Sequence, residues 1–92
     1  MIVNGQIDRL VVTDHEILII DYKTNRPPPE RSEDVSPVYY AQMAAYRALL
    51  KAIHPGKPVR CALLWTDAPR LMELPEDRLD AVLAKAAAQG GA

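Results

Sequence analysis

Phenylalanine is absent from this 92-residue chain, cysteine occurs once, and glycine occurs four times. Each shortage excludes something. Cys61, being alone, cannot form an intrachain disulfide, and in the middle of an apolar run it reads as a small buried hydrophobe. Uninterrupted apolar stretches such as Ile17 to Ile20 fall far short of the ~20 residues that a membrane-crossing helix needs. The opening residues lack the basic segment, apolar stretch and cleavage site of a secretory leader, so a cytoplasmic protein without membrane contact is expected. An excess of positive charge is missing too: 11 Lys and Arg stand against 12 Asp and Glu, a net charge of -1. Chains that hold nucleic acid unaided are usually basic. Any phosphate binding must therefore come from a local site, a metal ion or sequence outside this chain. There is no GxxxxGK[ST] motif, which excludes a P-loop.

The composition that is present, 49% hydrophobic and 25% charged, is that of a globular chain. At this length it makes one domain with a thin core. Ile2 to Val12 and Ile17 to Tyr22 are apolar, β-rich runs around the polar cluster Thr13-Asp14-His15-Glu16, which predicts a β-hairpin. Neither run alternates cleanly, as expected of strands covered on both faces. The first strand is accordingly expected to be central, and nothing precedes it to cover one face. Either a partner supplies that cover or the chain is the C-terminal piece of a larger domain, and the second is expected.

Thr24 to Pro37 contains Pro27-Pro28-Pro29 and reads as a loop. Ser36-Pro37 is a helix start, with Ser as N-cap and Pro at the first helical position. The helix is expected to run to about Ile53, where His54-Pro55-Gly56 stops it. Val59 to Trp65 reads as a strand parallel to Ile17 to Tyr22 through a right-handed crossover. Leu71 to Leu74 is a further short strand. A last helix spans roughly Pro75 to Ala88, with Leu79, Val82, Leu83 and Ala86 on one stripe. The expected fold is α/β with a mixed sheet, in the order β-β-α-β-β-α.

A hairpin turn centred between Asp14 and His15 pairs Val12 with Ile17, Leu10 with Ile19 and Asp8 with Asp21. Directly opposed residues bring their Cβ atoms to ~4.5–5.5 Å, where like charges repel. Two carboxylates inside a sheet are costly unless something positive lies between them. Magnesium, a hard cation that takes one or two carboxylates and keeps several waters, meets that need. Lys23 projects on the same side as Asp21, ~6.6 Å further along the strand. Two acids and a lysine in this arrangement suit metal-assisted phosphodiester hydrolysis. The plain alternative is that Lys23 is only a counter-ion.

On the first helix, Tyr39, Gln42, Met43, Tyr46, Leu50 and Ile53 recur at three- and four-residue spacing and share a side. By spacing alone the tyrosines read as core residues and Gln42 as a cap on a backbone group. His15 reads as a turn residue and His54 as a helix-end residue. Arg9 faces away from Asp8. Arg26, three residues past Lys23, is placed to reach a phosphate, with a solvated loop charge as the alternative.

Gly5-Gln6-Ile7-Asp8-Arg9-Leu10, Ile19-Ile20-Asp21-Tyr22-Lys23-Thr24 and Gln42-Met43-Ala44-Ala45-Tyr46 together resemble the RecB-family nucleases of the PD-(D/E)XK, restriction-endonuclease-like superfamily. Each motif alone is weak. Three in order, at matching spacing, are specific. The likeness is closest to the C-terminal nuclease domain of AddA-type helicase–nuclease subunits, through Asp21-Tyr22-Lys23-Thr24-Asn25-Arg26 and Ala62-Leu63-Leu64-Trp65-Thr66-Asp67. The resemblance implies a restriction-endonuclease-like core, with Asp8 and Asp21 as metal-binding acids and Lys23 as the catalytic lysine. Gln42 and Tyr46 would be the helix motif near the active site. It further implies Mg²⁺, with Mn²⁺ as a substitute, and DNA cleavage by an exonuclease module in double-strand break repair. The partners implied are the remainder of an AddA-like helicase subunit and an AddB-like protein. The family also carries an upstream helix with a further site residue before the first motif here. The chain, residues 1–92, is therefore expected to be the C-terminal part of a nuclease domain. A nuclease-like module that binds DNA or a partner subunit without cutting is the competing expectation.

Overall fold

Four strands and two helices follow from these local signals. The computed structural model describes residues 8–24 and 27–90, apart from the side chains of 86–90. Strand β1 (Arg9–Val12) pairs antiparallel with β2 (Ile17–Lys23), with Val12 opposite Ile17 and Leu10 opposite Ile19. The turn between them is held by Thr13, whose Oγ1 accepts the N–H groups of His15 and Glu16. Its four residues keep the even spacing on which the hairpin register depends.

Helix α1 (Pro37–Ile53) starts as its sequence predicts: the Ser36 side chain accepts the Val38 N–H, and Pro37 occupies the first turn. It stops at His54, whose N–H bonds Leu50 O, and Gly56 takes the positive φ that reverses the chain. Strand β3 (Val59–Trp65) returns parallel to β2, placing Asp21 beside Leu63 and Lys23 beside Trp65. β4 (Arg70–Leu74) then pairs antiparallel with β3, and α2 (Glu76–Gly90) closes the order. The sheet runs β1-β2-β3-β4 and is mixed. This is the α/β order, with a mixed sheet, expected of the chain.

Alternation decides which residues the helices cover. Ile17, Ile19, Val59, Cys61, Leu63, Trp65, Met72 and Leu74 face the helices. They pack with Tyr40, Met43, Ala44, Tyr46 and Leu50 of α1 and Leu79 of α2. Arg47 is buried in the same layer and ties three elements together. Its Nε donates to Val59 O at 3.1 Å, and its guanidinium pairs with Asp80 and Glu76 of α2. Burial pushes the Cys61 thiol up to about 12, so it stays protonated as a core residue.

Several expectations need correction. Among the described residues β1 lies at a sheet edge rather than in the middle, and all four of its residues are exposed. Among the described residues the face of the sheet away from the helices is only partly covered: Ala62 is buried, Leu18, Ile20 and Leu64 are half-buried, and Val11, Tyr22 and Leu71 are exposed there. Isoleucine and leucine in β2 therefore reflect β-propensity as well as burial. Ile53 is 59% exposed, because it is the last helical residue and α1 has run past the sheet by then. Pro75 precedes α2 instead of opening it, and its carbonyl accepts the Leu79 N–H. The loop after β2 contains a 3₁₀ turn at Ser32–Asp34 that its proline content did not signal. The expected strand residues before Arg9 include Ile2 to Ile7, which lie outside the described residues. No described helix is long and apolar enough to cross a membrane.

Candidate active site

The hairpin ladder ends one residue short of Asp8, at the pair Arg9 and Ile20. Beyond it the Asp8 side chain takes over: its Oδ2 accepts the Tyr22 N–H at 2.8 Å. This hydrogen bond holds the Asp8 carboxylate against the end of β2, near Asp21. Asp21 lies on the helix-facing side of β2 and is 5% exposed. The carboxyls of Asp8 and Asp21 lie near enough for each to shift the titration of the other.

Lys23, two residues along the same face, turns back toward this pair. Its Nζ lies 2.5 Å from Asp21 Oδ2. It also donates to Gln42 Oε1 at 3.4 Å and sits 4.1 Å from the centre of the Tyr39 ring. The Gln42 amide is oriented from its other end, where Nε2 donates to the Tyr46 hydroxyl at 3.4 Å. That leaves the carbonyl end for the ammonium. The Lys23 backbone is fixed by Thr66, whose N–H and hydroxyl both donate to Lys23 O. The cluster lies at the carboxyl ends of the parallel strands β2 and β3, the usual place for ligands in open α/β sheets.

The electrostatics follow from this packing. Burial, reinforced by the neighbouring Asp8, pushes the Asp21 carboxyl above its ordinary value, against the opposing pull of Lys23. Asp8 is held below its ordinary value by the hydrogen bond from Asp21 and by the Tyr22 N–H. The two acids therefore titrate as a pair that retains a proton longer than an isolated carboxylate would.

These residues fit a hard divalent cation. Asp21 Oδ2 is buried and makes no hydrogen bond of acceptable geometry, the Lys23 ammonium being its ionic neighbour. A dication beside it would relieve both the desolvation and the repulsion from Asp8. Among the described residues no group of three or more His, Cys, Asp or Glu side chains gathers. Two carboxylates without softer ligands suit an ion that keeps most of its water.

Asp8, Asp21, Lys23, Gln42 and Tyr46 thus come together. Gln42 does not cap a backbone group: both of its polar ends engage side chains. Arg26 lies outside the described residues. His15 and His54 sit in the hairpin turn and at the end of α1, as their positions predict. Tyr39, read from spacing as a core residue, does pack against the core beside Trp65, and its ring also stands against Lys23. The signal for it was its place one turn before Gln42 on the same helix stripe.

A family model for the PD-(D/E)XK nuclease superfamily matches residues 1–90. The chain belongs to that superfamily. This membership and the mixed-sheet core agree. It points to nuclease activity, to a nucleic-acid substrate and to the divalent metal that such nucleases typically use. Comparison with curated proteins and with solved structures found no match.

Proposed function

We propose that this PD-(D/E)XK domain hydrolyses DNA phosphodiesters, using a divalent cation held by Asp8 and Asp21. The observation that carries the reading is the meeting of two acids and a lysine on one face at the end of β2. A bound Mg²⁺ or Mn²⁺ would polarise the phosphate and lower the pKa of an attacking water. Asp8 and Asp21 fix where that chemistry takes place. The ammonium of Lys23 stabilises the negative charge that builds up on the phosphate or orients the water. Gln42 positions Lys23, and Tyr46 sets the orientation of Gln42. Arg26 is assigned a phosphate contact on sequence grounds.

The finer reading is an exonuclease module of an AddA-type helicase–nuclease, working with an AddB-like partner in the repair of double-strand breaks. It is supported by Asp21-Tyr22-Lys23-Thr24-Asn25-Arg26 and Ala62-Leu63-Leu64-Trp65-Thr66-Asp67. On this reading residues 1–92 form the C-terminal part of a nuclease domain whose remainder supplies further DNA contacts. The near-zero net charge agrees with affinity arising elsewhere.

End-labelled linear DNA incubated with the full-length protein and Mg²⁺ tests the proposal. Metal-dependent release of short products, lost in Lys23→Ala, is expected. Cleavage retained in Lys23→Ala refutes the role given to that lysine. One observation favours a second reading, a module that binds DNA or a subunit without cutting: Asp21 already has a cation beside it in Lys23. A full-length protein that neither cuts DNA nor is stabilised by Mn²⁺ would establish that reading instead.

A further inference from the structure

We propose that Tyr39 is a positioning residue for Lys23, its ring retaining the ammonium when a divalent cation takes the Asp21 carboxylate. The inference rests on the nuclease reading above. Among the described residues the Lys23 Nζ has three close neighbours: Asp21 Oδ2 at 2.5 Å, Gln42 Oε1 at 3.4 Å and the Tyr39 ring centre at 4.1 Å. A dication bound by the Asp21 carboxylate would compete with the ammonium for its lone pairs and repel it. Lys23 would then lose much of its hold on Asp21. Its stem has four rotatable carbons, and ordering it costs entropy, so a lysine without other anchors would swing into solvent.

The two remaining neighbours are both uncharged. The amide carbonyl of Gln42 and the π face of Tyr39 attract a cation without neutralising it, so Lys23 keeps its full charge for the phosphate. The ring is fixed before the ammonium needs it. Tyr39 lies in the first turn of α1, where its N–H bonds Ser36 O at 3.0 Å. Its ring packs at 6.4 Å and 46° against Trp65, a fully buried residue whose backbone lies beside Lys23 in the sheet. The contact with the ammonium is made by the face of the ring.

The test uses the full-length protein with Tyr39→Phe and with pentafluorophenylalanine at position 39, which keeps the shape and reverses the ring's electrostatic face. Tyr39→Phe, which keeps the ring face, is the reference for the fluorinated ring. The fluorinated ring is expected to lower kcat on the order of tenfold, with KM and Mn²⁺ affinity unchanged. In carbon-13-labelled lysine spectra the Lys23 ε-methylene should be shifted upfield by the ring in the parent and in Tyr39→Phe, with and without Mg²⁺. A fluorinated variant as active as Tyr39→Phe, beside an inactive Lys23→Ala, overturns the positioning role and leaves the nuclease reading intact. A parent protein inert on DNA, with the upfield signal still present, overturns the nuclease reading and the positioning role with it.

Discussion

The Lys23 ammonium and the Asp21 carboxylate lie 2.5 Å apart, so the lysine and a metal ion held by Asp21 would share one acid. One positive charge stands against two carboxyls, since Asp8 shares the site. Lys23 is thus both the group proposed for catalysis and a competitor for the metal position.

Removing the ammonium should therefore separate binding from chemistry. Lys23→Met is expected to bind Mn²⁺ tighter, on the order of tenfold, because an ionic neighbour no longer competes for the Asp21 carboxylate. The same variant should lose ~10²–10³ in kcat, as removal of a charge-stabilising donor does elsewhere. Calorimetric titration with Mn²⁺ checks the first effect and cleavage assays the second. Weaker metal binding in Lys23→Met would contradict the competition.

The raised Asp21 carboxyl gives metal binding a pH dependence. The proton that Asp21 retains must leave before a cation can coordinate it, so affinity should rise with pH through a range above that of ordinary carboxylates. Titrations in buffers of different ionisation enthalpy should show protons released on binding. Affinity that is flat across that range would contradict the shared-proton arrangement.

The same shifts govern stability without metal. Asp21, raised in the fold, contributes stability that is present at low pH and lost as pH rises through its folded value. Asp8, lowered in the fold, contributes stability that is lost as pH falls through its own. Asp21→Asn removes the alkaline-side loss. Near neutral pH without metal the variant is expected to melt at or above the parent's temperature, and to gain nothing from added Mn²⁺. A clear drop in melting temperature would show that the pair with Lys23 outweighs burial and repulsion.

Arg47 is a structural counterpart to these site residues. Its guanidinium serves Val59 O and the acids of α2 from a buried position. Arg47→Met keeps the apolar stem but strands the Val59 carbonyl and unfastens α2, at a cost of about 2–4 kcal/mol. Urea denaturation measures it. A change below about 0.5 kcal/mol would place α2's attachment elsewhere, in the packing of Leu79.

What was legible in the sequence is what local chemistry dictates. Ser36-Pro37 and His54-Pro55-Gly56 bound α1 because capping and backbone geometry act within a few residues. The register of β1 on β2 followed from the turn, and with it the closeness of Asp8 to Asp21. Edge position was not legible. The apolar side chains of Leu10, Val11 and Val12 read as interior, although strand preference alone accounts for them. Tyr39 was read as core, and it does pack there. That its ring also serves as a face for a cation shows only in its distance to Lys23.

Anomalous scattering from crystals of the full-length protein grown with Mn²⁺ gives the most direct test. One strong peak within bonding distance of both the Asp8 and Asp21 carboxylates, with Lys23 moved off Asp21 but still against Gln42, is the expected result. A manganese ion elsewhere, or Lys23 still seated on Asp21 at saturating metal, would contradict a shared cation as the centre of this site.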